Sequence, residues 1–151
     1  MKYKPFIYTL LIFLLFVGLV FYNYFKAQEA IRQTRPAPLS INLISYPKSV
    51  KAGSQGIFTW HVEASPDLST TFTTVYWGYE SSPSALTKND SPEAVNYSHF
   101  QPDYANGSFK LPDDFDVNIP FTRPGRVWFR AFAKVKEDNL WSDEKYLDIT
   151  N

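Results

Sequence analysis

Few residues of this chain are of the types that carry chemistry. Its 151 residues include two histidines, His61 and His99, and no cysteine. Without cysteine there are no disulfides, thiolate zinc sites or iron–sulfur clusters. A metal site needs several converging ligands, and the sequence has neither a third histidine nor a His-x-His spacing. We therefore expect both histidines to be solvated or hydrogen-bonded, and we expect no metal and no cofactor.

Acidic residues offer the next candidates, and they are weak ones. Asp113, Asp114 and Asp116 form the cluster LPDDFDVN. Alternating carboxylates in a loop can bind calcium, but no glycine turn or terminal glutamate completes a known pattern, so the cluster predicts a solvated turn. Asp143 and Glu144 could suggest glycoside hydrolysis, but neighbouring strand residues point to opposite faces. The chain also lacks a nucleophile turn and a phosphate loop. The sequence predicts a protein that is not an enzyme.

The charge is distributed unevenly along the chain. Residues 1–35 carry five basic side chains and one acidic side chain, a net +4, whereas residues 36–151 carry ten basic and fourteen acidic side chains, a net −4. Nucleic-acid binding needs a basic surface. We therefore expect no nucleic-acid partner for this mildly acidic part of the chain.

The basic N-terminal part contains an apolar segment. The twenty residues Phe6–Phe25 carry no charge. As a helix they would span ~30 Å, the thickness of a bilayer core. Tyr22 and Tyr24 stand at the end where interfacial aromatic residues belong. Residues 1–26 thus predict a cytoplasmic N-terminus and one transmembrane helix in the plasma membrane, with an extracellular or periplasmic C-terminal domain.

Two other interpretations of this segment are less favoured. A cleaved signal peptide has a shorter apolar region and a small-x-small site; here Ala27 and Ala30 stand three apart. A type IV pilin helix would need a glycine cleavage site before the apolar run and a glutamate five residues into the mature chain, and neither is present. Residues 27–40 predict a juxtamembrane helix end and a semi-rigid linker with Pro36 and Pro38.

Residues 41–151 have a β pattern. Short runs rich in β-branched and aromatic residues alternate with clusters of Pro, Gly, Asn, Asp and Ser. The runs cover residues 40–47, 56–64, 72–81, 108–112, 114–121, 125–135 and 141–150, and residues 81–107 form a long polar stretch with one or two short edge strands. The pattern predicts an all-β antiparallel sandwich of about seven strands.

The end of this domain has a Pro-Gly turn at Pro124 and Gly125, and Phe129, Arg130 and Ala133 follow on the next strand. In these five positions it resembles a fibronectin type III domain. Trp60 matches the family's buried tryptophan in the second strand, whereas Val127 stands where the family has a corner tyrosine. The resemblance covers residues 39–150 and implies a fibronectin-III-like or immunoglobulin-like sandwich.

The aromatic residues point to a binding surface. Alternation along residues 125–135 places Val127, Phe129, Ala131 and Ala133 in the core and turns Trp128, Arg130, Phe132 and Lys134 outward. The aromatic strip is the set Trp128, Arg130, Phe132, Tyr76, Trp77 and Tyr79. Trp, Tyr and Arg are enriched at binding hot spots, so the strip predicts a membrane-anchored adhesion or scaffold domain that contacts a protein partner near the membrane.

Two alternatives for the aromatic strip remain open. Its rings could stack on sugars in a carbohydrate- or cell-wall-binding module. The polar stretch at 81–107 could also cover the strip, using Tyr97, Phe100 and Tyr104, because large apolar patches are rare on monomers.

Overall fold

The computed structural model describes the backbone of residues 4–34 and 38–151 and the side chains of residues 13–29 and 38–151. The chain divides into two compact units, residues 1–36 and residues 37–151, and each is described separately.

The first unit is the helix α1, Lys4–Thr34. It continues past the apolar segment through residues 27–33 and ends at Thr34. Its described apolar side chains from Phe13 to Phe25 are exposed, except for the half-buried Val17. A search of the described part of the chain finds no helix of sufficient length and apolar character to cross a membrane. The predicted span Phe6–Phe25 begins before the first residue whose side chain is described. Pro36 of the predicted linker also lies outside the described residues.

The second unit is built from β-strands. They are β1 (Ser40–Ser45), β2 (Ser49–Lys51), β3 (Ser54–Glu63), β4 (Ser69–Gly78), β5 (His99–Phe100), β6 (Phe109–Lys110), β7 (Asp113–Phe121), β8 (Gly125–Val135), β9 (Asp138–Trp141) and β10 (Lys145–Thr150), with one turn of 3-10 helix at Pro92–Ala94. The predicted last strand, 141–150, is divided into the end of β9 and β10.

These strands form two sheets. The small sheet has the order β1-β3-β7, and the large sheet has the order β2-β10-β8-β4-β5, with β6 on β4 and β9 on β8. The β2–β10 pair is parallel, whereas the pairs β3–β7 and β4–β8 are antiparallel. The chain crosses between sheets from β3 to β4, from β4 to β7 and from β7 to β8, which is a Greek-key path.

The main core lies between the two sheets. Phe58, Trp60 and Val62 of β3 are fully buried, as are the predicted inward residues of β8. The rings of Phe58 and Phe129 are 4.9 Å apart across the sheets. The buried indole of Trp60 donates a hydrogen bond to Thr73 Oγ1 at 2.8 Å. The sequence prediction of the core is confirmed, and large aromatic side chains supply much of it.

Glycine turns join the strands at the positions that the sequence indicated. Gly53, between β2 and β3, has φ 84°, and Gly125, at the start of β8, has φ 137°. Side chains with a Cβ rarely adopt these conformations, so both turns need glycine. The turn at Gly125 sets the start of β8 and the phase of its alternation.

Candidate functional site

Three of the six residues of the aromatic strip are buried and the other three are half-buried, contrary to the expectation of an exposed row. Trp128, Arg130 and Phe132 do face away from the main core, as predicted, but Phe132 is 1% exposed and Arg130 is 4% exposed. Tyr76 on β4 is 8% exposed. The expectation of exposure is therefore wrong for these three residues. The structure instead agrees with the alternative in which the polar stretch at residues 81–107 covers these side chains.

A second hydrophobic cluster lies on the outer face of the large sheet. Tyr76, Val95, Tyr97 and Phe132 form its buried centre, with Phe72, Leu86, Trp128 and Trp141 packed around it. We name residues 81–97 the covering loop, because they supply Leu86, Val95 and Tyr97. Strand β9 supplies Trp141, whose ring lies 4.5 Å from that of Phe132.

The three aromatic residues that were expected to cover the strip lie in different environments. Tyr97 is buried within the second cluster. Phe100 lies at its edge, with its ring 5.3 Å from that of Tyr76, and stays 46% exposed. Tyr104 instead packs against the main core, with its ring 5.3 Å from that of Phe115.

Arg130 fixes the covering loop to the sheet. Its guanidinium donates to the carbonyls of Ser82 at 2.8 Å and Ser84 at 3.0 Å, both in the loop. It also donates to the Ser142 carbonyl at 2.9 Å and the Tyr97 hydroxyl at 3.2 Å. A buried charge is tolerated only when hydrogen bonds replace its water. Arg130 is therefore a structural anchor for the loop, and its guanidinium is not presented to a partner.

The carboxylate of Glu144 also binds the covering loop. It accepts hydrogen bonds from the Ser81 hydroxyl at 2.7 Å, the Ser82 amide and the Tyr97 hydroxyl. Burial raises the pKa of Glu144, but these hydrogen bonds outweigh burial and hold its pKa below the usual value. Burial and the bond to Glu144 raise the pKa of Tyr97. Glu144 thus stays ionised and Tyr97 protonated, which suits a fixed contact.

One part of the large sheet's outer face stays accessible. We name Arg126, Trp128, Tyr146 and Asp148 the β8–β10 patch. Tyr146 is 53% exposed and pairs in register with the half-buried Trp128. Arg126 places its guanidinium carbon 4.3 Å from the Tyr146 ring and makes a bidentate pair with Asp148, at 2.8 and 3.2 Å. Sequence reasoning named Trp128 and missed the others, although alternation along 145–150 could have indicated Tyr146.

Trp77 and Tyr79, the other two residues of the strip, line a separate cleft. This edge cleft has a volume of about 530 Å³, and its lining residues are Trp77, Tyr79, Glu80, Asn96, Ser98, His99, Thr122 and Arg123. The His99 ring stacks on Trp77 at 4.3 Å. The guanidinium of Arg123 lies 4.7 Å from the ring of Tyr79. The structure thus separates Trp77 and Tyr79 from Tyr76 and brings them together with His99.

His61 lies on the outer face of the small sheet. Its Nδ1 is 2.6 Å from Asp114 Oδ1, and its Nε2 is 3.4 Å from Glu63 Oε2. The hydrogen bond to Asp114 is the main cause of its raised pKa. Asp113, Asp114 and Asp116 are exposed to solvent, as expected, but they lie on strand β7, so the expectation of a turn there is wrong. Among the described residues, no group of three or more His, Cys, Asp and Glu side chains could hold a metal ion.

Comparison with known proteins gives distant structural matches only. No family model matches the chain, and no curated protein matches it. A PKD domain of a peptidase from a Thermoplasmatales archaeon is 13% identical, with a TM-score of 0.48, over 78% of this chain and 98% of that one. The CARDB domain of a Pyrococcus furiosus protein is 11% identical, with a TM-score of 0.45, over 76% and 94%. A β-glucosidase from Listeria innocua has the same identity and score, over 76% of this chain and 16% of its own.

The strand order assigns the fold class. A three-stranded sheet packs against a larger sheet, and Greek-key crossings join the two. Residues 37–151 are therefore an immunoglobulin-like β-sandwich. Membership of the fibronectin type III family in particular stays a prediction.

Proposed function

We propose that this chain is a membrane-anchored interaction domain that binds a protein partner outside the cytoplasm through the β8–β10 patch. The observation that carries the proposal is the exposure of Tyr146 beside Trp128, with Arg126 stacked on its ring. Tyr, Trp and Arg dominate hot spots at protein interfaces. The aromatic strip as first predicted cannot serve, because Arg130 and Phe132 lie under the covering loop.

The patch is ordered before any partner arrives. Asp148 holds the Arg126 guanidinium by two hydrogen bonds, and the same guanidinium lies over the Tyr146 ring. Side chains that are already held in place lose less conformational entropy on binding. The Tyr146 ring and the adjacent Arg126–Asp148 ion pair therefore suit a small contact surface that recognises one partner.

The anchoring part of the proposal rests on the sequence. Phe6–Phe25 has the length and apolar composition of a single membrane span, and basic residues precede it. Anchoring limits the search for a partner to proteins that share the membrane or lie near it. A carbohydrate partner is the second candidate function, and the edge cleft is the observation that favours it.

Photo-crosslinking of the full chain in its native membrane tests the protein contact. A photoreactive phenylalanine at Tyr146 should give one discrete adduct, and Arg126→Ala should remove that adduct. The matched control is the same probe at Ile57, which is 60% exposed on the outer face of the small sheet. An equal adduct from both positions, or none from Tyr146, contradicts the proposal. The intact mass of the uncrosslinked chain tests anchoring separately, because a chain that begins near residues 28–31 would show a cleaved signal peptide.

A further inference from the structure

We propose that the edge cleft is a binding site for a neutral saccharide. The site uses residues other than those of the β8–β10 patch, so it does not depend on the protein contact proposed above. It rests instead on three features of the cleft: its walls, its fixed rings and its unpaired polar groups.

The walls of the cleft come from three segments at one end of the sandwich. They are the residues that follow β4, the end of the covering loop with β5, and the turn between β7 and β8. Gly78 allows this arrangement, because a Cβ there would lie 3.3 Å from the Asn96 carbonyl oxygen and 3.5 Å from the Tyr97 Cα. The close approach of backbone to backbone brings Asn96 and Ser98 to the rim of the cleft.

The aromatic rings of the cleft are held rigidly. Trp77 packs edge-on against Phe121 at 5.2 Å on its core side, and His99 covers it with an interplanar angle of 25°. His99 pairs with Trp77 in the β4–β5 ladder. The Tyr79 hydroxyl donates to the Arg123 carbonyl at 3.2 Å. The exposed imidazole of His99 thus gives a flat, fixed surface on which the C–H face of a sugar ring can stack.

The polar side chains of the cleft have unused hydrogen-bonding capacity. Within the described residues, the side chains of Glu80, Asn96 and Arg123 make no hydrogen bond and no salt bridge to another side chain. A guanidinium offers donors, a carboxylate offers acceptors and an amide offers both. Sugar hydroxyls both donate and accept, so they match this mixed set.

The charges in the cleft favour a neutral ligand. Glu80 and Arg123 contribute one charge of each sign, so an acidic sugar would face the Glu80 carboxylate and a basic ligand would face the Arg123 guanidinium. The volume of about 530 Å³ lies within the usual range of small-ligand sites. A mono- or disaccharide without charge fits these features best.

NMR titration of the full chain in detergent micelles tests this assignment. The probes are cellobiose, maltose, laminaribiose and diacetylchitobiose at millimolar concentrations, with galacturonic acid as the anionic comparison. We expect at least one neutral disaccharide to shift the signals of the Trp77 indole, the His99 ring and the Asn96 amide. Glu80→Gln and Arg123→Ala should each weaken that binding about tenfold, which corresponds to about 1.4 kcal/mol. Both side chains are exposed, so the variants should remain folded.

The controls separate this site from the protein-binding patch. Tyr146→Ala should leave saccharide binding unchanged, even if it abolishes crosslinking to a protein. The proposal is overturned if no neutral disaccharide shifts these signals, if galacturonic acid binds more tightly, or if Glu80→Gln and Arg123→Ala leave the affinity unchanged. None of these results would affect the proposed protein contact.

Discussion

The two outer faces of the sandwich differ in how they meet solvent. On the small sheet, β7 alternates strictly between exposed and buried residues from Asp114 to Phe121, and its acids stay in water. On the large sheet, β8 is buried on both faces from Phe129 to Ala133. Alternation therefore predicts which way a side chain points, but exposure also depends on what the rest of the chain places above it.

The chemistry of each face explains the difference. The small sheet directs Thr59, His61 and Asp114 outward, and water solvates such groups well. The large sheet directs Tyr76 and Phe132 outward, and their burial under the covering loop removes a large apolar area from water. A loop laid over a sheet needs partners for its own carbonyls, and Arg130 provides them at Ser82 and Ser84. The buried arginine is thus a consequence of covering an aromatic face.

The largest expected effect comes from removing this anchor. Arg130→Met should lower the free energy of unfolding by about 3 kcal/mol, because it leaves loop carbonyls and the Glu144 carboxylate with fewer partners. It should also make residues 81–97 sensitive to protease. The matched control is Arg126→Met on the same strand, whose ion pair with Asp148 is half exposed and screened by water, so its loss should change stability much less. Equal losses in the two variants, measured by chemical denaturation, would show that Arg130 does not hold the loop.

A smaller effect is expected on the open face, where His61 can be titrated. Its contacts with Asp114 and Glu63 favour the protonated ring, so its pKa is raised above 6.5. The stabilisation is therefore complete below pH 6.5 and is lost as pH rises through the raised pKa. Asp114→Asn should return the pKa toward its ordinary value and cost less than about 1 kcal/mol. Asp116→Asn on the same strand is the control, and an equal change in the NMR titration of His61 would remove Asp114 as the cause.

Much of the fold follows from the sequence, for physical reasons that particular residues show. Period-two alternation located Val127, Phe129 and Ala131 in the core, because successive side chains of a strand point to opposite faces. The covered strip could not be predicted in the same way. Arg130 contacts the Ser82 carbonyl, 48 positions away in sequence, and the sequence pattern records no such contact. The aromatic residues of the polar stretch indicated only that this stretch could cover the aromatic strip.

The β8–β10 patch and the edge cleft could not be predicted from the sequence for the same reason. Tyr146 and Trp128 meet because β10 pairs with β8 in one particular register, and the sequence gives the strands without giving that register. The predicted strand 141–150 is also interrupted, since Ser142 bonds with the backbone of Ala131 and Glu144 turns to the covering loop. The edge cleft forms because His99 pairs with Trp77 between β5 and β4. This is a tertiary contact that the sequence pattern does not record.

The central claim is that the covering loop buries Tyr76 and Phe132 on the outer face of the large sheet, whereas Tyr146 on the same face stays accessible. Hydroxyl-radical footprinting of the full chain, read residue by residue in a mass spectrometer, tests it most directly. Phe132, Tyr76 and Tyr97 should be modified slowly, because each is at most 8% exposed, whereas Tyr146 at 53% should be modified rapidly. Modification of Phe132 and Tyr76 at the rate of Tyr146 would contradict the account, since the aromatic strip would then be open to solvent.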